Sequence, residues 1–184
     1  ANRYVLFFGL IRDYKGLDLL LDAWAQLRRA GRTEGRRLIV AGEFYTAREP
    51  YLNRIADNGL QDEVLLHDRF IPDDDVKYYF SAADFVVQPY KTATQSGVTQ
   101  IAYQFCVPMV VTKVGGLAEI VPDGRVGYVC EPTPEGVAGA IERMYEGDTL
   151  QRFRENCVEE RRRFSWEEMC SRITELYGLV ASGK

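Results

Sequence analysis
Short apolar runs that close on glycine and give way to amphipathic stretches recur along this chain, and that alternation restricts its fold more than any other feature. The first is "RYVLFFG", in which Val5, Leu6, Phe7 and Phe8 run without interruption to Gly9. A strand that is apolar at every position, rather than at every second one, belongs in a sheet covered on both faces. From Leu17 the apolar residues fall at 17, 20, 21, 24 and 27, the period of an amphipathic helix. Strand, loop and helix in that order form the first half of a βαβ unit, and open sheets of such units bind ligands at the carboxyl ends of their strands.

The pattern repeats. Arg37 to Ala41 reads as a second strand closed by Gly42, with a helix over Arg48 to Asp57. Glu63 to His67 is a third strand, Asp73 to Ala82 a short helix, and Asp84 to Gln88 a fourth strand. A helix over Gly97 to Phe105 leads to a fifth strand, Pro108 to Thr112, and then Val126 to Cys130 forms a sixth before a helix over Pro134 to Tyr145. The expectation is an α/β domain of Rossmann-like type, three layers deep, with a parallel sheet of about six strands and right-handed crossovers.

The tail differs. Ser165 followed by Glu168 is a capping box, and apolar residues at 166, 169, 173, 176, 177 and 180 mark a helix after it. Residues 1–164 are therefore expected to form the domain, and 165–184 a terminal helix that packs on a neighbouring domain. The chain begins one or two residues before its first strand, which fits a piece of a longer protein.

With 184 residues, 46% of them hydrophobic, the chain can bury a sizeable core as one domain. Acids outnumber bases, 27 against 23, so its charge gives no support to a nucleic-acid partner. The arginines at 28, 29, 32, 36 and 37 and at 161 to 163 read as solvated helix ends and loops. No apolar stretch approaches membrane-spanning length and nothing at the start resembles a signal peptide. Four cysteines, at 106, 130, 157 and 170, lack metal-ligand spacing, which fits a reducing, cytoplasmic setting and gives no zinc site. Cys106, Cys130 and Cys170 lie in or beside apolar runs and are expected as small buried thiols.

Two stretches carry cations or free N–H groups at the same edge of the expected sheet. The loop after the first strand holds Arg12 and Lys15 between Gly9 and Gly16, without the glycine-rich run of a P-loop or GxGxxG. Cations there can neutralise a diphosphate. The second stretch is "QPYKTATQSGVTQIAYQFCVPMVVT", residues 88 to 112, in which Ser96-Gly97 opens a helix. A helix start offers unpaired N–H groups and a positive dipole end, and glycine admits a phosphate closely. Each alone has a blander explanation: incidental surface cations in one case, an ordinary cap in the other. Gly115-Gly116, before a short helix, could bring backbone near the same ligand, whereas Asp123-Gly124 is a structural turn.

These motifs in order (F-x-G-x5-K-G-L-D-x-L-L-x-A, an A-G-E strand end, a P-Y…S-G helix, P-M-V-V-T-x-V-G-G-L-x-E-I-V and D-G-x-x-G-Y-V) resemble a group 1, or family 4, glycosyltransferase. The resemblance covers nearly the whole chain and only the C-terminal, donor-binding half of the two-domain GT-B fold. It implies a retaining enzyme that takes a sugar from a nucleotide diphosphate-sugar, with no cofactor and no catalytic metal, and passes it to an acceptor such as a glycan, lipid or polysaccharide precursor. It implies a missing N-terminal acceptor-binding domain as partner, and it allows peripheral membrane association through the full-length protein.

Position by position, Lys15 matches the family's diphosphate-binding lysine. The family's arginine directly after the first glycine is Leu10 here, and Arg12, two residues on, is the candidate substitute. Lys15 and Arg12 are the implied catalytic residues. Gly9, Gly16, Gly42 and Glu43 line the implied donor site. Arg69, Phe70 and Ile71 match the base-recognising segment, and Thr94, Gln95, Ser96, Gly97 and Val98 the segment facing sugar and phosphates. The family's two glutamates, eight residues apart, fall near Ala93 and Ile101 and are absent; Gln100 is the nearest polar replacement for the ribose contact. A non-catalytic nucleotide-sugar-binding or regulatory module, and a nucleotide-sugar epimerase of the same fold, are the rival readings.

Four further features have structural explanations. Asp73-Asp74-Asp75 follow Pro72, where acids complement a helix start without a metal. His67, the only histidine, reads as structural, while Trp24 and the Tyr78-Tyr79-Phe80 run read as core, with part of that run facing outward.

Overall fold
The computed structural model describes residues 3–181 and contains one six-stranded sheet, every neighbouring pair parallel. The strands are β1 (Arg3–Phe8), β2 (Arg36–Ala41), β3 (Val64–His67), β4 (Phe85–Gln88), β5 (Met109–Thr112) and β6 (Gly127–Cys130), in the order β3-β2-β1-β4-β5-β6. The helices are α1 (Leu17–Arg29), α2 (Glu49–Asp57), α3 (Asp73–Ala82), α4 (Gly97–Gln104), α5 (Leu117–Ile120), α6 (Pro134–Met144), α7 (Thr149–Glu160) and α8 (Trp166–Ala181). All six expected strands form, with ends shifted by about one residue, the usual fraying of element boundaries.

The strands are apolar throughout because they feed two cores. Val5, Phe7, Leu38, Val40, Phe85 and Val87 face one cluster, which includes Leu20, Leu21 and Trp24 of α1 and Val137 and Ile141 of α6. Leu6, Phe8, Ile39, Ala41 and Val86 face the other, with Tyr79 and Phe80 of α3 and Ala102 and Tyr103 of α4. Each fully buried leucine or valine stabilises the fold by about 1.5–3 kcal/mol before entropy is subtracted. Trp24 is fully buried, and its indole N–H donates to Glu63 Oε2 at 2.8 Å, so its one polar group is satisfied. Tyr78 is the outward member of its run.

The strand order places the reversal of winding between β1 and β4. Chain runs outward from β1 to β3 on one side and from β4 to β6 on the other, leaving a crevice at their carboxyl ends.

Several expectations need correction. Helix α7 forms where the sequence pattern predicts no helix. Its buried residues, Thr149, Phe153, Cys157 and Glu160, make a stripe one residue wide, too narrow and too polar to register as an apolar face. Cys157 is thus the fully buried thiol, while Cys170 lies exposed on α8. Arg36 is not a solvated loop residue: it starts β2 and stacks on the Tyr145 ring at 4.0 Å, where burial pulls its pKa down. The capping box is half made. Ser165 Oγ accepts from the Glu168 N–H at 3.2 Å, but the Glu168 carboxylate turns outward to Arg172.

Helix α8 carries its apolar stripe into solvent: Trp166, Met169, Ile173, Leu176, Tyr177 and Val180 are all exposed. No helix of the described residues is long and apolar enough to cross a membrane.

Candidate functional site
At the carboxyl end of β1 the backbone leaves the sheet at Gly9, whose N–H donates to Ala41 O at 2.9 Å. The segment then runs beside the end of β2, with Ile11 N–H donating to Glu43 O at 2.8 Å. A short 3-10 turn, Asp13–Lys15, ends at Gly16, which adopts φ +69° and caps α1. Gly16 has a second reason to be glycine: a Cβ there would lie 1.9 Å from Pro89 O. Gly42, just after β2, comes almost as close to the Gly9 carbonyl, 2.1 Å from where its Cβ would stand.

This turn sends Lys15 back over the strand end. Its Nζ rests against Gly9, within 3.0 Å of where a Cβ would stand, and 5.8 Å from the centre of the Tyr90 ring. The same missing Cβ would lie 3.6 Å from Val98 Cγ2 in the first turn of α4. Lys15 and Gly9 therefore meet the start of α4 in space although more than 80 residues separate them from it in sequence. Burial, and secondarily the nearby Arg12 guanidinium, lower the Lys15 pKa. A half-buried ammonium without enough compensation is one that gains from an incoming anion.

Tyr90 joins the two walls. Its ring lies beneath Lys15 and its hydroxyl sits 3.1 Å from Ser96 Oγ. Burial pushes the Tyr90 phenol up to about 12, so it stays protonated at neutral pH and can act as a donor. Ser96 occupies the N-cap of α4 in extended conformation without using its side chain as a cap. The first N–H groups of α4 then point from the helix start with Gly97 exposed beside them. The arrangement sets a cation beside the first turn of a helix at the crevice, suited to a dense anion such as a diphosphate.

Residues 2–147 match the family described as Glycosyl transferases group 1. The chain belongs to that family.

Among its group 1 relatives, the D-inositol 3-phosphate glycosyltransferase 2 of Catenulispora acidiphila is 32% identical over 185 residues, spanning 94% of this chain and 42% of that protein. The chain thus spans less than half the length of such relatives. In fold it is similar to the sucrose-phosphate synthase of Thermosynechococcus elongatus, with TM-score 0.82 and 22% identity over all of this chain and 46% of that one. It is also similar to Anabaena HepE, solved in complex with UDP-glucose, with TM-score 0.81 and 22% identity over 96% of this chain and 49% of that one. The Rossmann-like architecture is therefore that of a GT-B domain.

The other residues implied by the group 1 resemblance are spread more widely. Arg12 is exposed and its guanidinium lies 5.2 Å from the Tyr45 ring centre. Glu43 is half-buried at the end of β2, while Thr94 and Gln95 are exposed in the loop before α4. Arg69 lines a separate cavity of about 340 Å³ with Ile39, His67, Asp75, Tyr78 and Tyr79, and bonds Asp75 at 3.5 Å. Phe70 is exposed and Ile71 is buried in the core. His67 Nδ1 meets the Tyr79 hydroxyl at 2.9 Å. Gln100 faces a different hollow, formed with Tyr103, Gln104, Arg161, Arg162 and Phe164. Gly115 and Gly116 pack on protein backbone: a Cβ at Gly115 would lie 1.5 Å from Ala93 O. Asp73, Asp74 and Asp75 occupy the first turn of α3, and no three His, Cys, Asp or Glu side chains among the described residues are placed to hold a metal ion.

The sequence reading missed Tyr90, Lys91, Asp13 and Asp18. Tyr90 and Lys91 lie within the "QPYK" string at the end of the fourth strand, but nothing in their spacing shows that they fold back onto the first loop.

Proposed function
We propose that this chain is the donor-binding half of a retaining, metal-independent glycosyltransferase that takes a sugar from a nucleoside diphosphate-sugar. The observation that carries this reading is that the Lys15 ammonium and Val98 in the first turn of α4 both stand against Gly9, next to the Ser96-Gly97 helix start. Charge develops on the diphosphate as the sugar leaves. A half-buried ammonium and fixed N–H groups stabilise that charge without reorganising. Lys15 is the catalytic residue in this reading, and exposed Arg12 supplies a second cation at the mouth. The donor is itself the substrate, and no further cofactor is invoked.

Transfer requires an acceptor, held by the N-terminal half. That the HepE structure contains UDP-glucose supports a nucleotide-sugar donor for this chain. A non-catalytic binding module is the second reading, favoured by Ala93 and Ile101 where the family carries glutamates.

The test has two parts. Titrating the chain with UDP, GDP and ADP should reveal binding of one of them, weakened about ten- to a hundredfold in Lys15→Ala. Donor hydrolysis and sugar transfer by the full-length protein then separate enzyme from module. Failure of all three nucleotides to bind would sink both readings.

A further inference from the structure
Lys91 belongs to neither implied anion contact, yet it makes the tightest connection between the two loops that carry them. Its Nζ lies 3.0 Å from Asp13 Oδ1 and 2.9 Å from Asp18 Oδ2, one in the 3-10 turn and the other at the start of α1. Its backbone N–H donates to Tyr14 O at 2.7 Å. On either side, Tyr90 packs edge-on against Tyr14 with centres 6.1 Å apart, and Gly16 closes on the Pro89 carbonyl. Behind them, Thr112 Oγ1 donates to Tyr90 O at 2.6 Å and anchors the same segment to β5.

Surface ion pairs contribute little as a rule. This one differs in geometry: a single ammonium spans two carboxylates, and its side chain is 32% exposed while that of Asp18 is 25% exposed. Burial opposes the charge on Lys91, but its hydrogen bonds to Asp18 and Asp13 outweigh that and raise its pKa. Asp18 Oδ1 is buried with no hydrogen-bond partner of its own, so removing Lys91 would strand that carboxylate more completely.

Lys15 lies inside this strap. It is the residue after Tyr14, and it closes the 3-10 turn that Asp13 opens. The position of its ammonium relative to the α4 start follows from how the 3-10 turn is held against residues 89–91. We propose that Lys91 is a positioning residue for the diphosphate site, fixing Lys15 opposite the start of α4 by holding Asp13 and Asp18 against residues 89–91. This rests on the donor-binding reading above and deepens it: the site is assembled by a strap between loops, not by Lys15 alone.

The experiment is a double-mutant cycle on the chain, titrated with UDP, GDP and ADP, using Lys91→Met, Lys91→Arg, Lys15→Ala and the Lys91→Met/Lys15→Ala pair. Lys91→Met should weaken binding of the recognised diphosphate about tenfold, and Lys91→Arg should recover most of that loss. Because Lys91 acts through Lys15, most of the Lys91→Met effect should vanish when Lys15 is already alanine. A residue that merely stabilises the fold would give additive losses and no such dependence. Additive losses, or wild-type affinity in Lys91→Met while Lys15→Ala still binds poorly, would overturn the strap. If the unsubstituted chain binds none of the three diphosphates, the donor-binding reading itself fails and takes the strap with it.

Discussion
Gly16 faces the carbonyl of Pro89 so closely that a single added carbon would stand 1.9 Å from that oxygen. Because Gly16 also holds φ +69°, Gly16→Ala meets two penalties at once, an unfavourable backbone conformation and a backbone collision. We expect it to cost at least about 3 kcal/mol, read as a lower denaturant midpoint with an unchanged slope. A loss below about 1 kcal/mol would show that the two loops part easily.

Lys15 should trade stability for binding. Its pKa is lowered in the folded chain by burial and then by Arg12, so below the folded value the protonated side chain opposes folding. That penalty lifts as pH rises from the lowered folded value towards the ordinary lysine value, and it disappears above both. Lys15→Met should therefore melt at the same or a higher temperature than wild type near neutrality, with the difference closing at alkaline pH. Diphosphate affinity should run the other way in the wild type, declining as pH rises through the lowered lysine pKa. In Lys15→Met it should stay weak and flat. A lower melting temperature for the variant at neutral pH would show that the ammonium is stabilising.

Phe153 tests the helix that the sequence hid. It is fully buried and meets Tyr128 edge-on, ring centres 5.1 Å apart. Phe153→Ala should cost about 3–5 kcal/mol, comparable with the largest core truncations. If α7 is only loosely attached, the denaturation midpoint will barely move.

Removing residues 165–184 should leave stability within about 1 kcal/mol, since α8 exposes its apolar side chains instead of burying them. The same truncation should reduce self-association in sedimentation at high concentration, because exposed apolar stripes drive association. A large drop in melting temperature would instead make α8 part of the core.

The sheet could be read from the sequence because each strand announces itself: apolar at every position and bounded by glycine or a turn. Lys15 and Ser96 could be placed on one rim for the same reason. The strand order was not legible, because right-handed crossovers and βα alternation are compatible with more than one doubly wound arrangement. Contact across that rim could not be read either. Tyr90 touching Lys15, or Lys91 bridging Asp13 and Asp18, depends on how two loops fold over the strand ends, and loops carry no periodicity. Helix α7 escaped for a different reason, since Arg125 and Arg163 both pair with its inward-facing Glu160, a charge that disguises a core position.

The reversal of winding between β1 and β4 bears on how the domain moves. Strand β1 is registered to β2 through six residue pairs, but to β4 through only two, Val5 with Phe85 and Leu6 with Val86. That junction lies at the centre of the sheet, and the Lys15 loop and the α4 start lie on opposite sides of it. An anion gripped by both would act as a clasp across the junction. Amide hydrogen exchange on bound protein should then slow in β1 and in β4 together, while the outer strands β3 and β6 keep the rates of the free chain.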